Sequence, residues 1–227
     1  VEETIEVTGA GQIPQQRGER LTDGGQLTDH AVRYAEERHW DVFPGTSLSP
    51  VEDDAGAVRC SCGDTGCARP GAHPARDDWA AQATGSARAV RRLWTKQPGA
   101  SILLPTGRTF DAIDVPETAG FLALARMERM ELTLGPVTVT PDRRMQFLAL
   151  PGTAAQVPDL VRKLGWPPAK LDLRPLGEGD WIAAPPTRFG RGGAVQWACR
   201  PTAANRWLPD ADELISPLAY ACARERR

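Results

Sequence analysis

Nowhere does the chain approach the roughly 18 consecutive apolar residues that a membrane span needs. Its opening, VEETIEVTG, is acidic where a signal peptide would be basic and then apolar. A cytoplasmic protein with no membrane association is therefore expected. A surplus of positive charge is also missing, since 27 basic residues against 29 acidic ones give a net charge of −2 and an isoelectric point near 6.0. Dedicated nucleic-acid binders tend to be basic, so any basic surface here has to be local. Lysine is nearly absent, with Lys96, Lys163 and Lys170 the three present. No Gly-x-x-x-x-Gly-Lys-Ser/Thr pattern occurs, which excludes a P-loop within these residues, and no internal repeat is evident. Cysteines number only five, and a chain of 227 residues can bury a sizeable core without disulfides.

What is there points to one principal unit. Residues 1–26 show no periodic apolar pattern and carry an acidic excess, which predicts a flexible leader ahead of a single domain over 27–227. Thr28 and Asp29 suit the start of a helix that carries Ala31, Tyr34 and Ala35 on one face. Trp40 to Pro44 reads as a short strand ended by proline. Ser86 to Lys96 reads as a helix with Val90, Leu93 and Trp94 facing inward, followed by strands at 101–104 and 110–115. Helical spacing returns over Glu117 to Met130, with Phe121, Leu124 and Ala125 placed on the apolar face. Val137 to Thr140 and Met145 to Leu150 flank the turn Pro141-Asp142-Arg143-Arg144 as a hairpin, then a short helix is expected at 158–164 and strands at 171–173 and 181–184. Helices alternating with strands, some in hairpins, give an α+β or mixed α/β fold.

Trp181 to Pro209 is the one stretch where a local basic surface is written. It holds Arg188, Arg191, Arg200 and Arg206 interleaved with Trp181, Phe189, Trp197 and Trp207. Those aromatics serve either core packing or a binding face.

Cys60, Cys62, Cys67 and His73 form C-x-C-x4-C-x5-H inside a loop rich in glycine and proline, at 58–75. Thiolates and imidazole are the ligand set of tetrahedral zinc, and a four-ligand protein site leaves no open position for catalysis. The reading is a structural Zn²⁺ that staples a loop otherwise too long for a compact domain. Reduced loop cysteines and redox chemistry are the other readings. Cys199 and Cys222 are isolated and read as buried small side chains.

The order of these features resembles the bifunctional DNA primase/polymerase N-terminal domain, or prim-pol, of the archaeo-eukaryotic primase superfamily. The resemblance runs from about His30 to Cys199. It is carried by Trp40-Asp41-Val42-Phe43-Pro44, by the Cys-rich insert ending in Gly71-Ala72-His73-Pro74, by Trp79 to Thr84 and by Pro98 to Gly107. Trp181-Ile182-Ala183-Ala184-Pro185-Pro186-Thr187 closes the match. The resemblance implies a prim-pol-like core, with a central mixed or antiparallel sheet flanked by helices and the Cys-rich loop as an insert.

In that family, acidic side chains hold Mg²⁺ or Mn²⁺ against the nucleotide phosphates. Two carboxylates one residue apart on a strand share a face, which suits Asp-x-Asp to this task. Asp114 matches the first acid, but Pro116 stands where the second belongs. The resemblance places Met145 at the family's phosphate-contacting His, offers Arg143 and Arg144 as replacements, and keeps the third acid as Asp172 beside Arg174. It implies a catalytically degenerate primase/polymerase that binds nucleotide or nucleic acid through Asp114, Asp172, Arg143, Arg144 and Arg174. The alternatives are a working primase/polymerase, with Glu117 as a possible third acid, and a zinc-stapled scaffold for a protein partner.

Overall fold

The structure is a computed structural model, and residues 24–51, 54 and 56–225 are described. The expected leader therefore lies outside the described residues up to position 23. Gly24 to Gln26 already belong to the first helix, α1, which spans Gly24–Arg38. It begins four residues before the expected cap, because Thr28 turns its hydroxyl back onto the carbonyl of Gly24 at 2.9 Å instead of capping.

Two antiparallel sheets organise the chain, in line with the α+β expectation. The first runs β2-β1-β3-β8, from Val58–Cys60, Phe43–Pro50, Ala100–Pro105 and Trp181–Ala183. The second runs β7-β4-β6-β5-β9, from Arg174–Leu176, Asp111–Pro116, Arg144–Ala149, Val137–Thr140 and Gln196–Cys199. Pro44 does not end its strand. A register shift between Pro44 and Ser47 carries β1 onward to Pro50, where it pairs with β2 at the root of the cysteine loop. Leu171 to Leu173 is not a strand, and the pairing starts at Arg174.

The central strands β3 and β4 are buried on both faces, and parity along them decides what goes where. Ile113 and Val115 of β4 point to one side, into a core with Met145, Phe147 and helices α3 (Glu117–Arg129), α4 (Thr153–Lys163) and α5 (Ala211–Glu225). Ala112 and Leu148 point to the other side, where they join Trp40, Phe110, Ile102, Leu104 and Ile182, together with α1 and α2 (Ala87–Lys96). Leu103, Phe43 and Ala183 form a third cluster under the cysteine loop with Ala72 and Phe189.

In α3 the buried positions are Ala119, Gly120, Ala123, Leu124 and Met127, while Phe121 is 48% exposed and Ala125 is exposed. The inward face is thus rotated toward its small residues. A Cβ on Gly120 would stand 2.5 Å from Met145 Sδ and 2.8 Å from Met145 Cβ, so the helix lies against β6 as closely as glycine allows. Helix α4 opens before the expected Pro158, and its Gly152 cap offers no side chain. Asp111 supplies the acceptor from β4, taking the Ala154 N–H at 2.8 Å.

Candidate functional site

Asp114 projects from β4 on the face opposite Ile113 and Val115, toward the side where the two sheets meet. The β4–β6 register sets its neighbours, with Asp114 opposite Gln146 and Pro116 opposite Arg144. All four therefore share one face, whereas Met145 is fully buried on the helical face against Gly120. Met145 is thus not positioned to stand in for a phosphate-contacting residue. Arg144 and Gln146 hold that side of the strand, and Gln146 is a site residue that sequence reasoning missed. Parity from Arg144 was the available signal.

Arg144 is the centre of the constellation. Its Nε donates to Asp114 Oδ1 at 2.7 Å and its Nη1 donates to Asp172 Oδ2 at 2.7 Å. Its Nη2 reaches the Asp114 carbonyl at 3.3 Å. Gln146 donates to Asp114 Oδ2 at 3.3 Å and accepts from the Thr138 hydroxyl at 3.0 Å, so the second oxygen is also engaged. Asp172 additionally pairs with Arg174, Nε to Oδ1 at 3.4 Å. Asp114, Asp172, Arg144 and Arg174 are therefore brought together. Arg143 is not among them: it sits in the turn at φ 60° with its side chain 77% exposed, beside Glu117 at 3.3 Å.

Burial pushes the Asp114 carboxyl above its ordinary value, with Arg144 and Gln146 pulling against that shift. The Arg144 hydrogen bond holds Asp172 below the usual carboxylate range. Burial disfavours the Arg144 charge, but the two acids outweigh it and raise its pKa, so it stays a cation. A Mg²⁺ or Mn²⁺ held by Asp114 and Asp172 would need the space between their oxygens, where the guanidinium lies. These residues as arranged do not fit such an ion.

The cysteine loop is a different case. Cys60, Cys62, Cys67 and His73 bring their ligand atoms within 4.8 Å of one another. Cys60 Sγ and Cys67 Sγ each lie 3.4 Å from His73 Nε2, close to the ~3.5 Å edge of a tetrahedron with zinc bond lengths. His73 Nδ1 is 2.8 Å from the Pro74 carbonyl, which fixes Nε2 as the free ligand atom. Burial raises the Cys60 thiol, but N–H groups of Cys62 and Gly71 and the Thr46 hydroxyl bring it down to about 6. Burial and the neighbouring sulfurs push Cys67 up to about 11. Three sulfurs and one imidazole nitrogen converging in this way form a donor set that fits a metal.

Arg69, inside this loop, lies over the rings of Trp181 and Phe189 at 5.2 and 5.1 Å and reaches Asp142 at 3.5 Å. The cysteine loop is thereby docked onto the turn that carries Arg143 and Arg144. Cys222 is buried, as the sequence suggests, and burial pushes its thiol up to about 12. Cys199 is half-buried near Asn205.

Residues 31–211 match the family described as bifunctional DNA primase/polymerase, N-terminal. No curated protein matches the chain. The polymerase domain of Mycobacterium tuberculosis ligase D, solved in complex with DNA, is similar with a TM-score of 0.38 at 12% identity, over 93% of this chain and 98% of that one. No helix among the described residues is long and apolar enough to cross a membrane.

Proposed function

Because the chain belongs to the bifunctional DNA primase/polymerase N-terminal family, we propose that it is a degenerate member, one that binds nucleotide or nucleic acid beside β4 without joining nucleotides. The observation that carries this reading is the Arg144 guanidinium lying between Asp114 and Asp172 at 2.7 Å from each. Phosphoryl transfer in this family's manner needs carboxylates free to hold divalent ions that offset developing charge. Here a fixed single positive charge fills that place. It can complement the acids, but it offers no open coordination position to a phosphate oxygen. Pro116, opposite Arg144, contributes no ligand atom. What remains for a phosphate is the exposed guanidinium of Arg143, with Arg174 beside Asp172.

The Cys60, Cys62, Cys67 and His73 cluster is proposed to hold a structural Zn²⁺, with all four ligands from the protein. Its role is to fix the loop whose Arg69 meets the Asp142 turn.

The test combines binding and turnover. Melting temperature is measured with nucleoside triphosphates, Mg²⁺ and Mn²⁺, and extension is assayed on primed and unprimed DNA. The expected result is stabilisation by nucleotide that Arg143→Ala weakens, no extension, and a Mn²⁺ response that appears only in Arg144→Gln. Extension that Asp114→Ala abolishes would establish a working polymerase instead. No nucleotide response at all would leave the zinc-stapled scaffold as the better reading.

A further inference from the structure

At the end of the molecule marked by Thr109, ahead of β4, the segment 200–208 and the end of α1 enclose a concavity of about 550 Å³ lined by Arg38, His39, Thr109, Arg206, Trp207 and Leu208, among others. Counting strand residues from Thr109 puts it roughly 15 Å from Asp114, so it is not the constellation described above. Trp207 is the feature that needs an explanation. It is 82% exposed, whereas Trp40 is 5% exposed and Trp94 fully buried. A large aromatic ring left in solvent forfeits the burial that the other tryptophans gain.

Nor is the ring out there because the segment is loose. Asn205, 8% exposed, accepts from Thr202 N at 2.6 Å and donates to the Arg200 carbonyl at 2.8 Å. Leu208, on the other side, packs into the core with Trp40 and Phe110. Residues pinned inward on both sides force Arg206 and Trp207 outward as a pair. Two arginines accompany the ring. Arg38 and Arg206 both line the concavity, and neither forms an ion pair among the described residues; burial is what chiefly disfavours the Arg38 charge, with Glu37 opposing it and Arg206 adding to it by a smaller amount.

We propose that this concavity is a binding site for single-stranded nucleic acid, in which a base stacks on Trp207 and Arg206 and Arg38 meet the flanking phosphates. An exposed ring beside unpaired guanidiniums is the arrangement that takes a strand without reading its sequence, because every base offers a face and every nucleotide a phosphate. Two like charges held close in an otherwise slightly acidic protein are explained by an anionic partner. An apolar protein segment would use the ring but gain nothing from Arg38 and Arg206.

The experiment titrates the full chain with an unstructured oligodeoxythymidylate, following tryptophan fluorescence and fluorescence anisotropy of a labelled strand. Quenching that is lost in Trp207→Phe assigns the signal. Trp207→Ala is expected to weaken binding by at least tenfold, the order that stacking of one base supplies. Arg206→Glu is expected to weaken it further and to flatten the salt dependence. Both residues lie at the surface, so an unchanged melting temperature shows that folding is intact. Absence of binding by the natural sequence at low salt overturns the proposal, as does equal binding by the Trp207→Ala and Arg206→Glu variants. Capture of an acidic peptide in place of the strand would also overturn it. Because Arg143→Ala reports on the nucleotide site and Trp207→Ala on this concavity, failure of one reading is distinguishable from failure of the other.

Discussion

Pro116 and Arg144 are opposed residues at the end of the β4–β6 ladder. The first offers no carboxylate on the face it shares with Asp114, and the second places a guanidinium against Asp114 and Asp172. The missing carboxylate and the added guanidinium thus belong to one residue pair of the ladder. With an acid at position 116, Arg144 would face three carboxylates and the site would favour cations. With proline there, Arg144 and Arg174 together match the two charges of Asp114 and Asp172.

Removing the cation is predicted to be costly. Arg144→Met leaves Asp114, whose side chain is 9% exposed, as a buried carboxylate whose one remaining side-chain donor is Gln146. Loss of one partner of a buried pair typically costs about 3–5 kcal/mol. The penalty should be read as a lower denaturation midpoint with an unchanged slope, and should largely vanish in Arg144→Met combined with Asp114→Asn. A double variant as unstable as the single one would show that Arg144 stabilises through packing alone.

The legible part of this site was the part written locally. Asp114, the hairpin turn and the cysteine cluster each lie within a short stretch, and parity along β4 follows from the strand itself. The bridge made by Arg144 was not legible, because it depends on the β4–β6 register and on where the chain returns with Asp172, 28 residues further along. Helix α5 was missed for a different reason: Pro217 lies inside it, and proline reads as a breaker until tertiary packing by Leu214, Leu218 and Cys222 overrides it. Pro158 likewise masked the first turn of α4.

Zinc can be tested through Cys62, the exposed member of the cluster. An exposed cysteine contributes little by packing, so Cys62→Ser should matter only if the sulfur holds a metal. The expected result is near-stoichiometric zinc in the natural protein, less in the variant, and a lower melting temperature that becomes equal once both are stripped by chelator. Acidification should release the metal, since the thiols must be deprotonated to bind. Equal melting temperatures before chelation would remove the zinc assignment.

Gly120 reports on how closely α3 lies over β6. A methyl group there would stand 2.5 Å from Met145 Sδ, 2.8 Å from its Cβ and 3.0 Å from its Cγ, so rotation of the sulfur alone gives no relief. Gly120→Ala is predicted to destabilise by about 1–3 kcal/mol despite its better helix propensity. Shortening the opposing side chain in Gly120→Ala with Met145→Ala should recover part of the loss relative to Met145→Ala alone. If Gly120→Ala is neutral or stabilising in chemical denaturation, the close approach is not present in solution.

The two acids around Arg144 should act on stability with opposite signs as pH changes. Asp172 is held below its ordinary range by Arg144, so it contributes stability that is present above the unfolded value and is lost as pH falls through the folded one. Asp114 is raised by burial, so the folded state binds its proton more readily than the unfolded chain does. Its contribution is therefore most favourable in acid and declines as pH rises from the unfolded value through the folded one. Asp172→Asn is predicted to flatten the acid limb of the stability profile, and Asp114→Asn to remove the decline above it. Because Asp172 is partly exposed, added salt should screen its effect more than that of Asp114. Urea midpoints measured between about pH 2.5 and pH 7 at two ionic strengths would check both signs, and parallel profiles for the two variants would contradict this division of roles.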